Sequence, residues 1–126
     1  MQPQNNEMLG KTRQKLLKLH QDIGQLLQIF LAPKPITKGS VYRLQRKCGK
    51  PGCRCAQGEL HRSMVISWSD EGKTKMISVP RGRLVELRSL TKRYQQFRRA
   101  RARVVKIQQE MIQLIDRLEA ARSRKV

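Results

Sequence analysis

Three cysteines and one histidine fall within fourteen residues, Cys48, Cys53, Cys55 and His61, spaced C-x4-C-x-C-x5-H. Gly49, Pro51, Gly52 and Gly58 are interleaved with them, and every cysteine of the chain is used there. Thiolate and imidazole are ligands that tetrahedral Zn2+ prefers, and a glycine-rich loop can fold back around one ion. The pattern therefore predicts a structural Cys3His zinc site with no coordination position left open for catalysis. Two other chemistries fit the same residues. The cysteines could remain reduced and structural, or could act in thiol redox or metal sensing, because Lys47, Lys50 and Arg54 surround them and favour the thiolate. A Cys53–Cys55 bridge would span one residue under strain and leave Cys48 over. The odd cysteine count, and a polar Met1–Asn6 without the layout of a leader, predict a reducing, cytoplasmic setting. His20 lies in a leucine-rich helical pattern and reads as a helix-surface residue.

Charge is the second signal. The chain carries 28 Lys plus Arg against 9 Asp plus Glu, a formal net charge of +19 on 126 residues. Self-repulsion of that size is relieved by a polyanion, and nucleic acid is the default one. The cations are clustered. From Lys34 to Cys55 there are seven (Lys34, Lys38, Arg43, Arg46, Lys47, Lys50, Arg54) and no acid. From Lys92 to Lys106 there are seven more (Lys92, Arg93, Arg98, Arg99, Arg101, Arg103, Lys106), again without an acid. The candidate nucleic-acid contacts are Arg43, Arg46, Lys47, Lys50, Arg54 and Arg62 around the cysteine loop. Arg88, Lys92, Arg98, Arg99, Arg101, Arg103 and Lys106 join them from the C-terminal segment. No run of 18 apolar residues occurs, so no membrane partner is expected.

These groups need elements to hold them, and three segments are legible: 1–35, 36–80 and 81–126. In the first, Leu9, Leu16, Leu19, Ile23, Leu26 and Phe30 alternate steps of three and four, with Thr12 at the one skipped position. The spacing predicts an amphipathic helix from about residue 6 to 31, widened by Leu17, Leu27 and Leu31 and stopped by Pro33 and Pro35. The stretch from Ala32 to Gly39 reads as a stiff linker. In the second segment, Ser40–Arg46, Ser63–Ser69 and Thr74–Val79 read as strands, with the cysteine loop joining the first two. Asp70-Glu71-Gly72-Lys73 is the turn between the last two. The third segment is one long helix with Pro80 in its first turn. Its seam is Leu87, Leu90, Tyr94, Phe97, Arg101, Val104, Gln108, Met111, Ile115 and Leu118, with Ala100, Ile107, Leu114 and Ala121 as an added row. Arg101 and Gln108 would then set register within the seam. A break near 99–101 into two antiparallel helices is the alternative, although no turn residue marks it. The expected fold is α+β: an N-terminal helix, a small three-stranded antiparallel sheet with a zinc-knuckle-like loop, and a coiled-coil-like C-terminal helix.

The run from Arg46 to Ala56, followed by Gly58-Glu59 and His61, resembles an uncharacterised bacterial family of short proteins. Its members share a Cys-Gly-Lys-Pro-Gly-Cys-Arg-Cys loop, a Gly-Glu-x-His element, a Gly-Lys-Thr turn (here Gly72-Lys73-Thr74) and a Val-Pro step (here Val79-Pro80). The resemblance covers about residues 36–118. It implies a domain of unknown function, often encoded near mobile elements. Relatives follow the histidine with Gly-Pro and aromatic residues, whereas this chain has Arg62, Ser63 and Met64.

Together these readings predict a non-enzymatic, zinc-stabilised nucleic-acid-binding protein, with DNA favoured over RNA. A homodimer through the heptad helices, or a recombinase- or transposase-like partner, would fit the seams. The alternatives are a coiled-coil assembly subunit and the thiol chemistry above. Catalysis has little to work with, because the acids are scattered and only His20 and His61 could serve as general bases.

Overall fold

The computed structural model describes residues 3–47, 49–50, 52–53, 58 and 61–126, with only the backbone described at 3–6 and 61. The element order is α1 (Pro3–Leu31), β1 (Ser40–Arg46), β2 (His61–Asp70), β3 (Lys73–Ser78) and α2 (Leu84–Arg122). The fold is therefore α+β, and the three strands form one antiparallel sheet in the order β1-β2-β3. None of the described helices is long and apolar enough to cross a membrane. The chain divides into two compact units, residues 1–33 with 97–126, and residues 34–96.

In the first unit, α1 packs against the distal part of α2. Leu19, Ile107 and Leu114 are buried together, and Leu16, Ile23, Leu26 and Met111 close around them. The two helices run in opposite directions. Phe30 meets Phe97 edge-to-face at one end, with ring centroids 4.9 Å apart. At the other end, Leu9 and Ala121 line the same groove. The 3-4 spacing of α1 matches the expected seam. The helix begins three residues earlier than the spacing required, at Pro3, a residue type suited to the first helical position.

The α2 seam differs from expectation. Arg101, Gln108 and Ile115 are exposed, whereas Ala100, Ile107 and Leu114 are buried. The working seam is thus Phe97, Ala100, Val104, Ile107, Met111, Leu114, Leu118 and Ala121, an unbroken 3-4 alternation of apolar residues. Burial selects this row because all eight positions are apolar, while the alternative would bury a guanidinium and an amide. Leu17, Leu27 and Leu31 do not widen the buried stripe. They are 63%, 43% and 72% exposed. The helix is one run from Leu84 to Arg122, with no break at 99–101.

In the second unit, β1 and β2 pair from Ser40↔Ser67 to Arg46↔His61, and β2 and β3 from Val65↔Ser78 to Asp70↔Lys73. Glu71 and Gly72 have φ of 50° and 80°, the two positive values that a two-residue type I′ hairpin turn requires. Lys75 closes that end on Asp70 at 2.7 Å. Val65 and Ile66 are consecutive, so they point to opposite faces of β2, yet both are buried. The central strand is therefore shielded on both sides. The linker is pinned rather than merely stiff. The Thr37 N–H donates to the Leu90 carbonyl at 3.2 Å, and Arg93 donates to the Pro35 carbonyl at 3.0 Å. Gly39 (φ 146°) passes so close to β2 that a Cβ would lie 2.8 Å from the Ser67 carbonyl oxygen.

Pro80 lies outside the helix. The Arg83 N–H donates to the Pro80 carbonyl at 3.1 Å, and Gly82 (φ 80°) turns the chain before α2 starts at Leu84. Arg83 then pairs with Glu86 at 3.2 Å in the first turn, which lowers the Glu86 carboxyl pKa and raises that of the guanidinium.

Ile107 is fully buried at the centre of the helical seam. Ile107→Ala is expected to destabilise the protein by about 2–5 kcal/mol, measured by urea denaturation followed by far-UV circular dichroism.

Candidate nucleic-acid interface

Rotation about the seam fixes where the helical cations go. With Leu9 and Phe97 both at heptad position a, an antiparallel pair places its two g rows along one flank and its two e rows along the other. A groove of about 480 Å³ confirms the first flank, since Met8 of α1 lines it together with Arg117 of α2 and Arg124 just past the helix end. The c and g positions on that side carry Lys11, Lys15 and Lys18 from α1. From α2 they carry Arg99, Arg103, Lys106 and Arg117, and Arg124 continues the row beyond the helix. These eight cations face two acids, Asp22 and Glu110, at the same positions. Lys18 pairs with Asp22 at 2.8 Å. The other seven cations are in no ion pair with a described acid, and all eight are exposed.

The structure sorts the expected contacts into groups. Arg99, Arg103 and Lys106 lie together on the basic flank, while Arg98 and Arg101 fall at b and e on the opposite flank. Arg88 and Lys92, both exposed, are one turn apart near the start of α2. On the sheet, Arg43 pairs with Met64 and Gln45 with Arg62, so Arg43 and Arg62 project from the same face on neighbouring strands. Arg46 pairs with His61 and projects from the other face. Lys47 and Lys50 are exposed just beyond β1, and Arg54 lies outside the described residues. Arg93 is committed elsewhere, to Pro35 and to Ser89 at 3.3 Å. Lys11, Lys15, Lys18, Arg117 and Arg124 were not among the expected contacts. Their c and g positions relative to each seam are the signal that finds them.

Of the proposed zinc ligands, Cys48, Cys55 and the His61 side chain lie outside the described residues. Cys53 is half-buried, and its N–H donates to the Lys50 carbonyl at 3.3 Å. Gly49 and Gly52 have φ of 76° and 82°, conformations that close a reverse turn cheaply only at glycine. The β1–β2 pairing sets the His61 backbone opposite Arg46, two residues before Cys48 in sequence. His20 is exposed on α1.

The sequence from residue 9 to residue 89 matches the family described as domain of unknown function DUF6788. The chain belongs to that family. The DUF6788 match begins in α1, spans the linker and all three strands, and ends in the second turn of α2. It starts earlier and stops earlier than the 36–118 expected from the loop resemblance. All of the cations that the C-terminal segment adds to the basic flank therefore lie C-terminal to the matched DUF6788 region. No curated protein and no solved structure matches the chain.

Exposed cations without acid partners contribute nothing to packing and repel one another. Alanine at Arg99, Arg103 or Lys106 should each change stability by no more than about 0.5 kcal/mol. The triple alanine variant should melt no lower than the parent in low salt, as read by differential scanning calorimetry.

Proposed function

We propose that this DUF6788 protein is a non-enzymatic nucleic-acid-binding protein, with DNA as the preferred polymer. The observation that carries this reading is the lopsided charge of the helical pair: eight exposed cations against two acids on one flank. Such a flank costs self-repulsion in the free protein and gains by releasing counterions from a phosphate backbone. The other unit carries cations of its own, Arg43 and Arg62 on one sheet face, Arg46, Lys47 and Lys50 at the loop end of the sheet, and Arg88 with Lys92 on the first turns of α2. Contacts of this kind position a duplex without reading its bases. The mobile-element setting implied by the loop resemblance favours DNA over RNA and an accessory role beside a recombinase- or transposase-like enzyme.

Zinc has a structural role in this proposal. Cys48, Cys53, Cys55 and His61 hold one Zn2+, which locks the loop and presents Lys47, Lys50 and Arg54 on a rigid knuckle. Support comes from the donor set, from the reverse turn at Lys50–Cys53, and from the strand pairing that draws the two ends of the loop together.

Binding to a labelled DNA duplex is expected to weaken steeply with salt, with a log–log slope of about −5 for roughly six phosphate contacts. The variant R99E/R103E/K106E should shallow that slope by about three units. Affinity that is indifferent to salt, or to this charge reversal, would remove the flank from the interface. Native mass spectrometry should count one zinc per chain, lost on Cys53→Ser. A metal-free protein with a Cys53–Cys55 disulfide would refute the zinc site.

A further inference from the structure

The flank opposite the basic one exposes large aliphatic side chains. At its b and e positions α1 exposes Leu17, Leu27 and Leu31, and α2 exposes Val105, Ile112 and Ile115. Antiparallel pairing puts both rows on the same side, because the e rows adjoin where the g rows do not. Six large aliphatic side chains, each more than 40% exposed, thus form one strip along a two-helix unit. A strip of that extent on so charged a chain calls for a cover.

The polar residues of the strip are arranged along α2 in an order that identifies the cover. Moving from Phe97 toward the C-terminus, the b, e and adjoining f positions read Arg98, Arg101, Ala102, Val105, Gln108, Gln109, Ile112, Ile115, Asp116, Glu119 and Arg122. Two cations stand at one end, two acids toward the other with Arg122 beyond them, and two amides in the middle. Neither Asp116 nor Glu119 is in an ion pair with a described cation, although the chain carries a net charge of +19. Turned end for end about the midpoint between Gln108 and Gln109, the series complements itself. Arg98 of one copy then falls opposite Glu119 of the other, Arg101 opposite Asp116, Val105 opposite Ile112, and Gln108 opposite Gln109 near the axis.

We propose that a second copy of this chain covers the strip, α2 antiparallel against α2, giving a two-fold dimer whose helical part is a four-helix bundle. A two-fold contact brings each residue pair together twice, so one copy must carry both halves of every pair, as this strip does. Such packing buries the six aliphatic residues and leaves the c and g cations of both copies on the outside. Gln108 and Gln109 act as a register device: amides in an apolar contact cost little when they meet each other across the axis and more when the helices slip. The proposed dimer differs from the one expected through the heptad seams, because α1 and α2 occupy the a and d positions between themselves. This inference stands apart from the nucleic-acid reading, since it uses the other flank and is tested without nucleic acid.

Sedimentation equilibrium of the full chain, free of nucleic acid, should give twice the monomer mass. Ile112→Asp should raise the dimer dissociation constant roughly a hundredfold, the size expected for a central apolar contact, while the far-UV circular dichroism stays helical. Arg101→Asp and Asp116→Arg should each weaken the dimer, and the double variant R101D/D116R should restore it. Restoration is the outcome that a merely destabilised fold cannot produce. A chain that stays monomeric at all concentrations, or a dimer indifferent to I112D, overturns the proposal. So does a dimer that both charge variants weaken and the swap fails to rescue.

Discussion

Everything the helical unit presents to its surroundings depends on the rotation imposed by one apolar seam. Leu19, Ile107 and Leu114 are its buried centre, and the residues around them are only partly shielded. A contact this narrow contributes modest stability, but it decides orientation completely. Turning α2 by one residue, about 100°, would move Arg99, Arg103 and Lys106 off the flank they share with Lys11, Lys15 and Lys18. The segregation of cations from exposed aliphatic side chains is thus a property of the packing and not of either helix alone.

Charge and burial oppose each other here. Only three ion pairs form among the described residues, those of Lys18, Lys75 and Arg83, all on the surface. Exposed pairs of this kind contribute little, so most of the net +19 remains as repulsion between neighbours. Against it stand a thin helical seam and a three-stranded sheet whose buried residues are few. Marginal stability in isolation is the natural result, and any polyanion, metal or second copy that binds only the folded chain raises it.

The α1 seam, the strand order and the hairpin turn were legible because each rests on local chemistry. An unbroken 3-4 spacing makes a stripe, and Gly72 supplies a positive φ that the turn needs. The α2 seam was half legible. Phe97, Val104, Met111 and Leu118 belong to both candidate rows, so only the companion row separates them. Following the phase forward from Leu87 leads to Arg101, Gln108 and Ile115. The structure changes phase at Phe97, where two steps of three (Tyr94 to Phe97 to Ala100) replace the usual three and four. Ala100 offers so little apolar mass that the sequence pattern underrates it. The basic flank could not be seen at all without the direction in which the helices pair. Nor could the apolar strip, since Leu17, Leu27 and Leu31 look like core when α1 is read by itself.

The residues that meet in the helical core, Leu19 with Ile107 and Leu114, are far apart in sequence, with the linker and all three strands between them. The three strands between them are joined by neighbours in sequence. During synthesis the sheet can therefore assemble from what has already left the ribosome, whereas α1 must wait for residues made long after it. For that interval its leucines stand uncovered, and a chaperone or a hasty encounter with another nascent chain finds them before their own partner does.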